Sequence, residues 1–307
     1  MKIGHGPDFV LEVLERLTRN GFVVETHLPR EGYGVATPTI VVDRTSYPGV
    51  EAHMVTIADI AGWRASLDEH GDVVISACRT TNDTGSTDIR PYREACARLI
   101  SAVEGLVPHL ARCRQELEEG HFPTLIWGQS TREYFRLDRE APPHEPPDVN
   151  SFIDRVDVSI RPHIVELNQL GFITLECCSG LPGDHPDREP WHSYVMFDEM
   201  THENAAPHVF TLGDMAGWTV LRGRYNFDIE MRVRGDDDIK PAWERLVGEA
   251  RVLAQMLAPR YGWYLRSSTS WLQKAMVAPG SEQTPAPQYA DLESRPTNYC
   301  QPSSGTV

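Results

Sequence analysis

Four segments of the chain carry apolar residues at the three- to four-residue spacing that is typical of amphipathic helices. In the first half this spacing predicts a helix over 9–20 and a longer one over 92–110. The second half repeats the arrangement, with helices predicted over 160–169 and 243–257. Each half therefore opens and closes with a helix that has one apolar face.

Between these helices lie short runs rich in valine, isoleucine, threonine and phenylalanine, which favour β-strands. The predicted strand segments are 22–26, 39–43, 53–67 and 72–79 in the first half, and 172–178, 193–198, 209–221 and 227–233 in the second. Helices thus bracket consecutive strands instead of alternating with each one. This order favours an α+β fold with a mainly antiparallel sheet.

One eleven-residue segment occurs twice. His53–Trp63 returns as His208–Trp218, with six of the eleven positions identical. The flanking elements recur in the same order, which predicts two tandem copies of one helix–antiparallel sheet–helix domain, made by internal duplication.

Because both copies keep the segment, we interpret its histidine, threonine and aspartate as residues that the fold requires. Its tryptophans are predicted to be core residues and its glycines, Gly62 and Gly217, to be bulges or tight bends.

The chain divides into four parts on this basis. Residues 1–120 form the first repeat and residues 151–278 the second. Between them, 121–150 holds an aromatic segment and a proline-rich linker. The final part, 279–307, is rich in serine, proline, glutamine and threonine, so we expect it to be disordered.

The amino-acid composition argues against several classes of function. The 307 residues carry a net charge of −15, which argues against a broad nucleic-acid surface and leaves only a local pocket for such a partner. The absence of a long apolar run predicts no contact with a membrane. Six cysteines, without a secretory leader, indicate cytoplasmic thiols and not a disulfide framework. A small-molecule ligand is the expected partner, and the oligomeric state stays open.

Only the second repeat contains a loop whose side chains could bind a ligand or take part in catalysis. This loop is Glu176–Pro186. Side chains alternate along a strand, which places Ile173, Leu175 and Cys177 on the core face. The same alternation places Thr174, Glu176 and Cys178 on the polar face. Gly180 and Gly183 are predicted to expose backbone N–H groups to an anion.

This loop allows three interpretations. Cys178, His185 and His192 are a candidate set of zinc or iron ligands, although their spacing matches no standard zinc module. Alternatively, Cys178 is an activated nucleophile, with Asp184 and His185 as further catalytic residues. The third interpretation is a proline-rich surface turn without a site.

The segment Val165–Gly180 resembles the signature of the wybutosine-synthesis Tyw3 family, in which a helix ending in Leu-Asn precedes a Phe-Thr strand and a Ser-Cys-Ser-Gly turn. The resemblance implies an S-adenosylmethionine-dependent methyltransferase acting on a modified tRNA guanosine. It also implies that the cofactor-binding residues are Asn168, Thr174, Ser179 and Gly180. Leu181 stands where the family has arginine.

Three classes of function follow from these features. The first is a group-transfer enzyme of the Tyw3 kind with its site around Cys178. A non-catalytic module that binds a metal or a small anion is the second, and a scaffold without a site is the third.

Overall fold

The computed structural model describes residues 8–27, 39–46, 49–77, 90–110, 153–186, 192–198, 204–222, 228–233 and 238–259. The predicted aromatic segment, the proline-rich linker and the C-terminal tail lie outside these described residues. None of the described helices combines the length and the apolar character needed to cross a bilayer.

Among the described residues of the first half, a helix comes first and a second helix lies between two pairs of strands. Its elements are α1 (Asp8–Arg19), β1 (Val24–His27), β2 (Thr39–Val42), α2 (Val50–Ala61), β3 (Trp63–Leu67), β4 (Val73–Ala77) and α3 (Arg90–Leu106), followed by a 3₁₀ turn (Val107–Leu110). The second half has the same order of elements. They are α4 (Arg161–Gln169), β5 (Thr174–Cys178), β6 (Tyr194–Asp198), α5 (Ala205–Ala216), β7 (Thr219–Arg222), β8 (Asp228–Arg232) and α6 (Ile239–Leu257).

Each half forms one four-stranded sheet. The strand orders are β1-β2-β4-β3 and β5-β6-β8-β7, and every neighbouring pair is antiparallel. The predicted α+β class and antiparallel pairing are therefore confirmed. The four predicted amphipathic helices are present as α1, α3, α4 and α6.

The prediction of strands over 53–61 and 209–216 is wrong, because both segments are helical. Ten of the twelve residues of α2 and all twelve of α5 are buried. A helix that is buried on every side needs no polar face, so its sequence lacks the 3.6-residue alternation that marks a surface helix.

The glycines that follow these helices end them. Gly62 and Gly217 adopt φ values of 72° and 70°, in the left-handed region that favours glycine. Their N–H groups donate to the carbonyls of Asp59 and Asp214. They are helix caps, and each one turns the chain directly into the next strand. The predicted tight bends are therefore present, and the alternative of a bulge is wrong.

The two central helices pack against each other and join the halves through reciprocal polar pairs. His53 Nε2 lies 2.7 Å from Asp214 Oδ2, and His208 Nε2 lies 3.0 Å from Asp59 Oδ2. Between these pairs, the hydroxyls of Thr56 and Thr211 are 2.9 Å apart. All of these residues are buried. The repeated residues thus lie in the contact between the halves, which accounts for their presence in both.

The tryptophans of the repeated segment are also buried, as predicted. The Trp63 indole donates to the carbonyl of Ala95 in α3 at 3.0 Å, and that of Trp218 donates to Ala242 in α6 at 3.2 Å. Each half therefore fixes its last helix to its sheet through the same type of contact. The apolar core extends as one cluster through both halves.

Candidate metal centre

Strand β5 carries the candidate cysteines and contains a β-bulge. Thr174 pairs with Phe197 but Glu176 pairs with Met196, so Leu175 has no place in the regular register. The extra residue moves Thr174 to the core side, where it is buried, and Leu175 to the opposite face. The predicted faces of Thr174 and Leu175 are therefore wrong.

The predicted faces of the two cysteines hold, because both follow the bulge. Cys177 packs against the main core. Cys178 lies on the other face in a small cluster with Tyr194 and Met196. That position is not the open polar surface that alternation suggested, since Cys178 is only 9% exposed.

Asn168 and Thr174 fasten the end of α4 to the start of β5. The Asn168 amide donates to the Thr174 hydroxyl at 2.7 Å, and the Thr174 N–H donates to the Asn168 carbonyl oxygen at 3.1 Å. Both residues are buried, and the asparagine also donates to the carbonyl of Ile164. These hydrogen bonds position the strand that carries Cys178. A contact of Asn168 or Thr174 with a cofactor stays a prediction.

A tight turn directs the chain away from the sheet after Cys178. Gly180 has a φ of 66°, and a Cβ at this position would lie 2.8 Å from the backbone nitrogen of Ser193. Glycine is thus required both by conformation and by close approach. Gly183 does not share these constraints, since it is not among the described glycines with positive φ and a Cβ there meets nothing within 4 Å. The exposure of its N–H group to an anion stays a prediction.

Three side chains of different chemistry converge beside this turn. The sulfur of Cys178 lies 3.3 Å from His185 Nε2, which lies 3.1 Å from Asp157 Oδ2. The three donor atoms are all within 4.8 Å of one another. Asp157 is held in place because the N–H of Ser179 donates to its Oδ2 at 2.7 Å.

These separations suit a metal ion. Zinc binds sulfur at about 2.3 Å and nitrogen or oxygen at about 2.0–2.2 Å, so tetrahedral angles place neighbouring ligand atoms about 3.3–3.6 Å apart. The Cys178–His185 and His185–Asp157 distances lie close to that range. Two of the three separations thus fit a site with one sulfur, one nitrogen and one oxygen ligand, and the third, between Cys178 and Asp157, is within 4.8 Å.

The environment of Cys178 disfavours an activated thiolate. Burial raises the pKa of this thiol, and the carboxylates of Asp157 and Asp184 raise it further. The N–H of Gly180 lowers the pKa but does not outweigh them. Nucleophilic cysteines need a lowered pKa, so without a cation the Cys178 sulfur remains protonated at neutral pH. The neighbouring Cys177 is even less acidic, because burial raises its pKa to about 12.

Asp184 stands beside the three donors without being one of them. Its carboxylate accepts a hydrogen bond from the Ser159 hydroxyl. Burial raises the pKa of Asp184, but the hydrogen bonds from Ser159 and Ser179 outweigh burial and hold the pKa below its ordinary value. Asp184 therefore remains ionised next to the cluster.

His192, predicted as the third metal ligand, is exposed and is not in the donor cluster found among the described residues. Ser193 beside it is buried and accepts a hydrogen bond from the indole of Trp243, so the extended chain turns His192 toward solvent. The third member of the donor cluster is Asp157. Sequence reasoning missed it because Asp157 lies outside the loop, in the segment before α4, and no motif marks it.

Comparison with protein-family models, curated proteins and solved structures gives no match to this chain. The resemblance to Tyw3 proteins, which is strongest over residues 165–180, therefore stays a prediction from the sequence pattern.

Proposed function

We propose that this protein binds a transition-metal ion, zinc or iron, between Asp157, Cys178 and His185, and binds a small molecule at the coordination position that these residues leave open. The observation that carries the proposal is the convergence of the three donor atoms within 4.8 Å. Three protein ligands and one open position are typical of zinc sites that act on a substrate. A mixed set of sulfur, nitrogen and oxygen donors suits zinc or iron.

The surroundings of the cluster support this proposal because two of the three donors, Asp157 and Cys178, are oriented by a further contact. Asp157 is fixed by the N–H of Ser179, and the N–H of Gly180 is directed at the Cys178 sulfur. Such secondary contacts orient the ligands of metal sites. A divalent ion would also compensate the carboxylates of Asp157 and Asp184, which add to the effect of burial in raising the pKa of the Cys178 thiol.

The test is Co²⁺ binding to the metal-free, full-length protein. We expect one Co²⁺ ion per chain and a sulfur-to-metal charge-transfer band. Cys178→Ser should abolish the band, and Asp157→Asn and His185→Ala should each weaken binding. A loss of about 10–100-fold is typical even for secondary contacts, so ligand variants should lose at least that much.

Cys177→Ser is the matched control, because it removes the adjacent thiol that packs against the core. This variant should keep the band. A Cys178→Ser protein that retains the band, or a Cys177→Ser protein that loses it, contradicts the proposal.

A second candidate is S-adenosylmethionine-dependent group transfer, with Cys178, Asp184 and His185 as catalytic residues. It is supported by the likeness of 165–180 to Tyw3 proteins and by the tight turn at Gly180, which this likeness includes. Thermal unfolding with S-adenosylmethionine and S-adenosylhomocysteine tests it. A higher melting temperature with either compound, absent in Ser179→Ala, supports this candidate, and an unchanged one contradicts it.

We also propose that the two halves arose by internal duplication. The order of elements and the order of strands agree between the halves. Matching contacts add support, since Arg98 donates to the carbonyl of Ala61 and Arg245 donates to that of Ala216 at the ends of the two central helices. In this scheme the first half covers α5 and supports the second half, which holds the site.

A further inference from the structure

The contact between the two halves is reciprocal, because each central helix supplies both members of the polar pairs. Along either helix the histidine, the threonine and the aspartate follow one another at intervals of three residues, on the side that meets the other helix. These residues are His53, Thr56 and Asp59 in α2 and His208, Thr211 and Asp214 in α5. The histidine of each helix contacts the aspartate of the other, and the threonines meet between the pairs. A helix face that carries both partners in this arrangement is complementary to a copy of itself.

A second copy of α5 in the place of α2 would repeat every one of these contacts. His208 of one copy would face Asp214 of the other, and the same pair would form in the opposite direction. The two Thr211 hydroxyls would meet at the centre, as those of Thr56 and Thr211 do. Contacts that repeat in this way are typical of the isologous interface of a two-fold symmetric dimer.

Asn204 makes α5 more complementary to itself than α2 is. Its side-chain amide donates to Asp59 Oδ2 at 2.6 Å, and His208 contacts the same oxygen. At the matching position before α2 the first half has Gly49, which has no side chain to offer Asp214. In a pair of α5 helices, both aspartates would receive an asparagine and a histidine.

We infer that the face of α5 formed by Asn204, His208, Thr211 and Asp214 fits a second copy of this chain, and that the histidine–aspartate pairs decide between that copy and α2. In the single chain α2 covers this face. Because both halves belong to one chain, α2 is present at a high effective concentration and outcompetes a second copy. Opposing the contact between α2 and α5 should therefore join two chains through α5. This inference concerns the contact between the halves and is independent of the proposed metal centre.

The test exchanges the polar residues of α2 in the full-length protein, by combining His53→Asp with Asp59→His. The exchange puts a carboxylate opposite Asp214 and an imidazole opposite His208, so both histidine–aspartate contacts between the halves are lost. Two α5 helices remain complementary to each other, and so do two exchanged α2 helices. Substitutions that oppose one pairing and leave another intact change which partners associate. We expect this α2-exchanged protein to have twice the molecular mass of the wild type in size-exclusion chromatography with light scattering.

The matched control makes the same exchange in α5 as well, by adding His208→Asp and Asp214→His. The doubly exchanged protein regains both histidine–aspartate contacts within one chain, with the two roles reversed. It should therefore return to the molecular mass of the wild type. The two proteins differ only in whether α2 matches α5, so a difference in mass between them reports the pairing.

A crosslink identifies the helix that forms the contact. Thr211→Cys in the α2-exchanged protein would place the thiols of two chains at the centre of the α5 pair, where mild oxidation should join them. A covalent dimer should then appear on a non-reducing gel, beyond any given by the α2-exchanged protein without this substitution. In the doubly exchanged protein Thr211→Cys faces Thr56 of the same chain and should give no such dimer.

Three outcomes overturn the inference. One is an α2-exchanged protein that keeps the wild-type mass, or that unfolds while the doubly exchanged protein folds, since α5 then does not accept its own copy. Another is a doubly exchanged protein that fails to fold or to return to the wild-type mass, since the histidine–aspartate pairs then do not decide the partner. The third is a doubled mass without the crosslink at Thr211→Cys, which places the association on another surface.

Discussion

At the scale of single residues, the two glycines of the loop show how differently one residue type is used. Gly180 holds a left-handed conformation and lies against the backbone of Ser193. Gly183 has neither constraint. The sequence alone does not show which of the two glycines is structurally required, because the constraint on Gly180 comes from its position in the fold.

Gly180→Ala should therefore lower the free energy of unfolding by about 2 kcal/mol or more, because a left-handed backbone and a clash with Ser193 act together. It should also weaken Co²⁺ binding, since the turn positions Cys178. Urea denaturation and Co²⁺ titration measure the two effects. Gly183→Ala is the matched substitution three residues away and should change stability by no more than about 0.5 kcal/mol. Equal effects of the two substitutions would contradict this account of the turn.

At the scale of elements, the helices α2 and α5 are the least predictable from sequence and the most constrained by packing. Helices with a solvent-facing side, such as α1 and α6, are predicted correctly from the spacing of their apolar residues. The two central helices cannot be predicted in this way, because their polar residues face one another inside the protein.

Asp157 was not predicted from the sequence for a related reason. Its approach to Cys178 and His185 depends on how the segment before α4 lies against β5, which is a tertiary contact and leaves no local pattern.

The buried pairs between these helices make a strong prediction about stability. His53→Ala removes the partner of Asp214 and leaves its carboxylate buried without the histidine. Breaking one side of a buried pair typically costs about 3–5 kcal/mol. Chemical denaturation should show a loss of this size, with Co²⁺ affinity kept in the protein that remains folded. His70→Ala, at an exposed histidine of the same half, should have almost no effect. If His53→Ala abolished Co²⁺ binding at full stability, the central pairs would belong to the site.

At the scale of the whole molecule, the continuous core predicts that the halves unfold together. Most buried apolar residues of both halves form one cluster, and α2 packs against α5. A shared core of this kind favours a single cooperative transition. Hydrogen exchange should therefore give the same free energy of opening for the central strands β4 and β6. Much faster exchange in β6 would show that the second half opens independently.

The reciprocal pairing of α2 and α5 also has a consequence for how the sequence can change over time. Each histidine pairs with an aspartate in the opposite half, so a substitution at His53 removes the histidine partner of Asp214 and lowers stability until that position changes as well. The paired histidines and aspartates of α2 and α5 therefore limit which substitutions either half can accept. The loop after β5 has no counterpart in this pairing, and mutation there leaves the first half intact. Under the proposed duplication, this pairing keeps the scaffold constant and leaves the loop after β5 free to change.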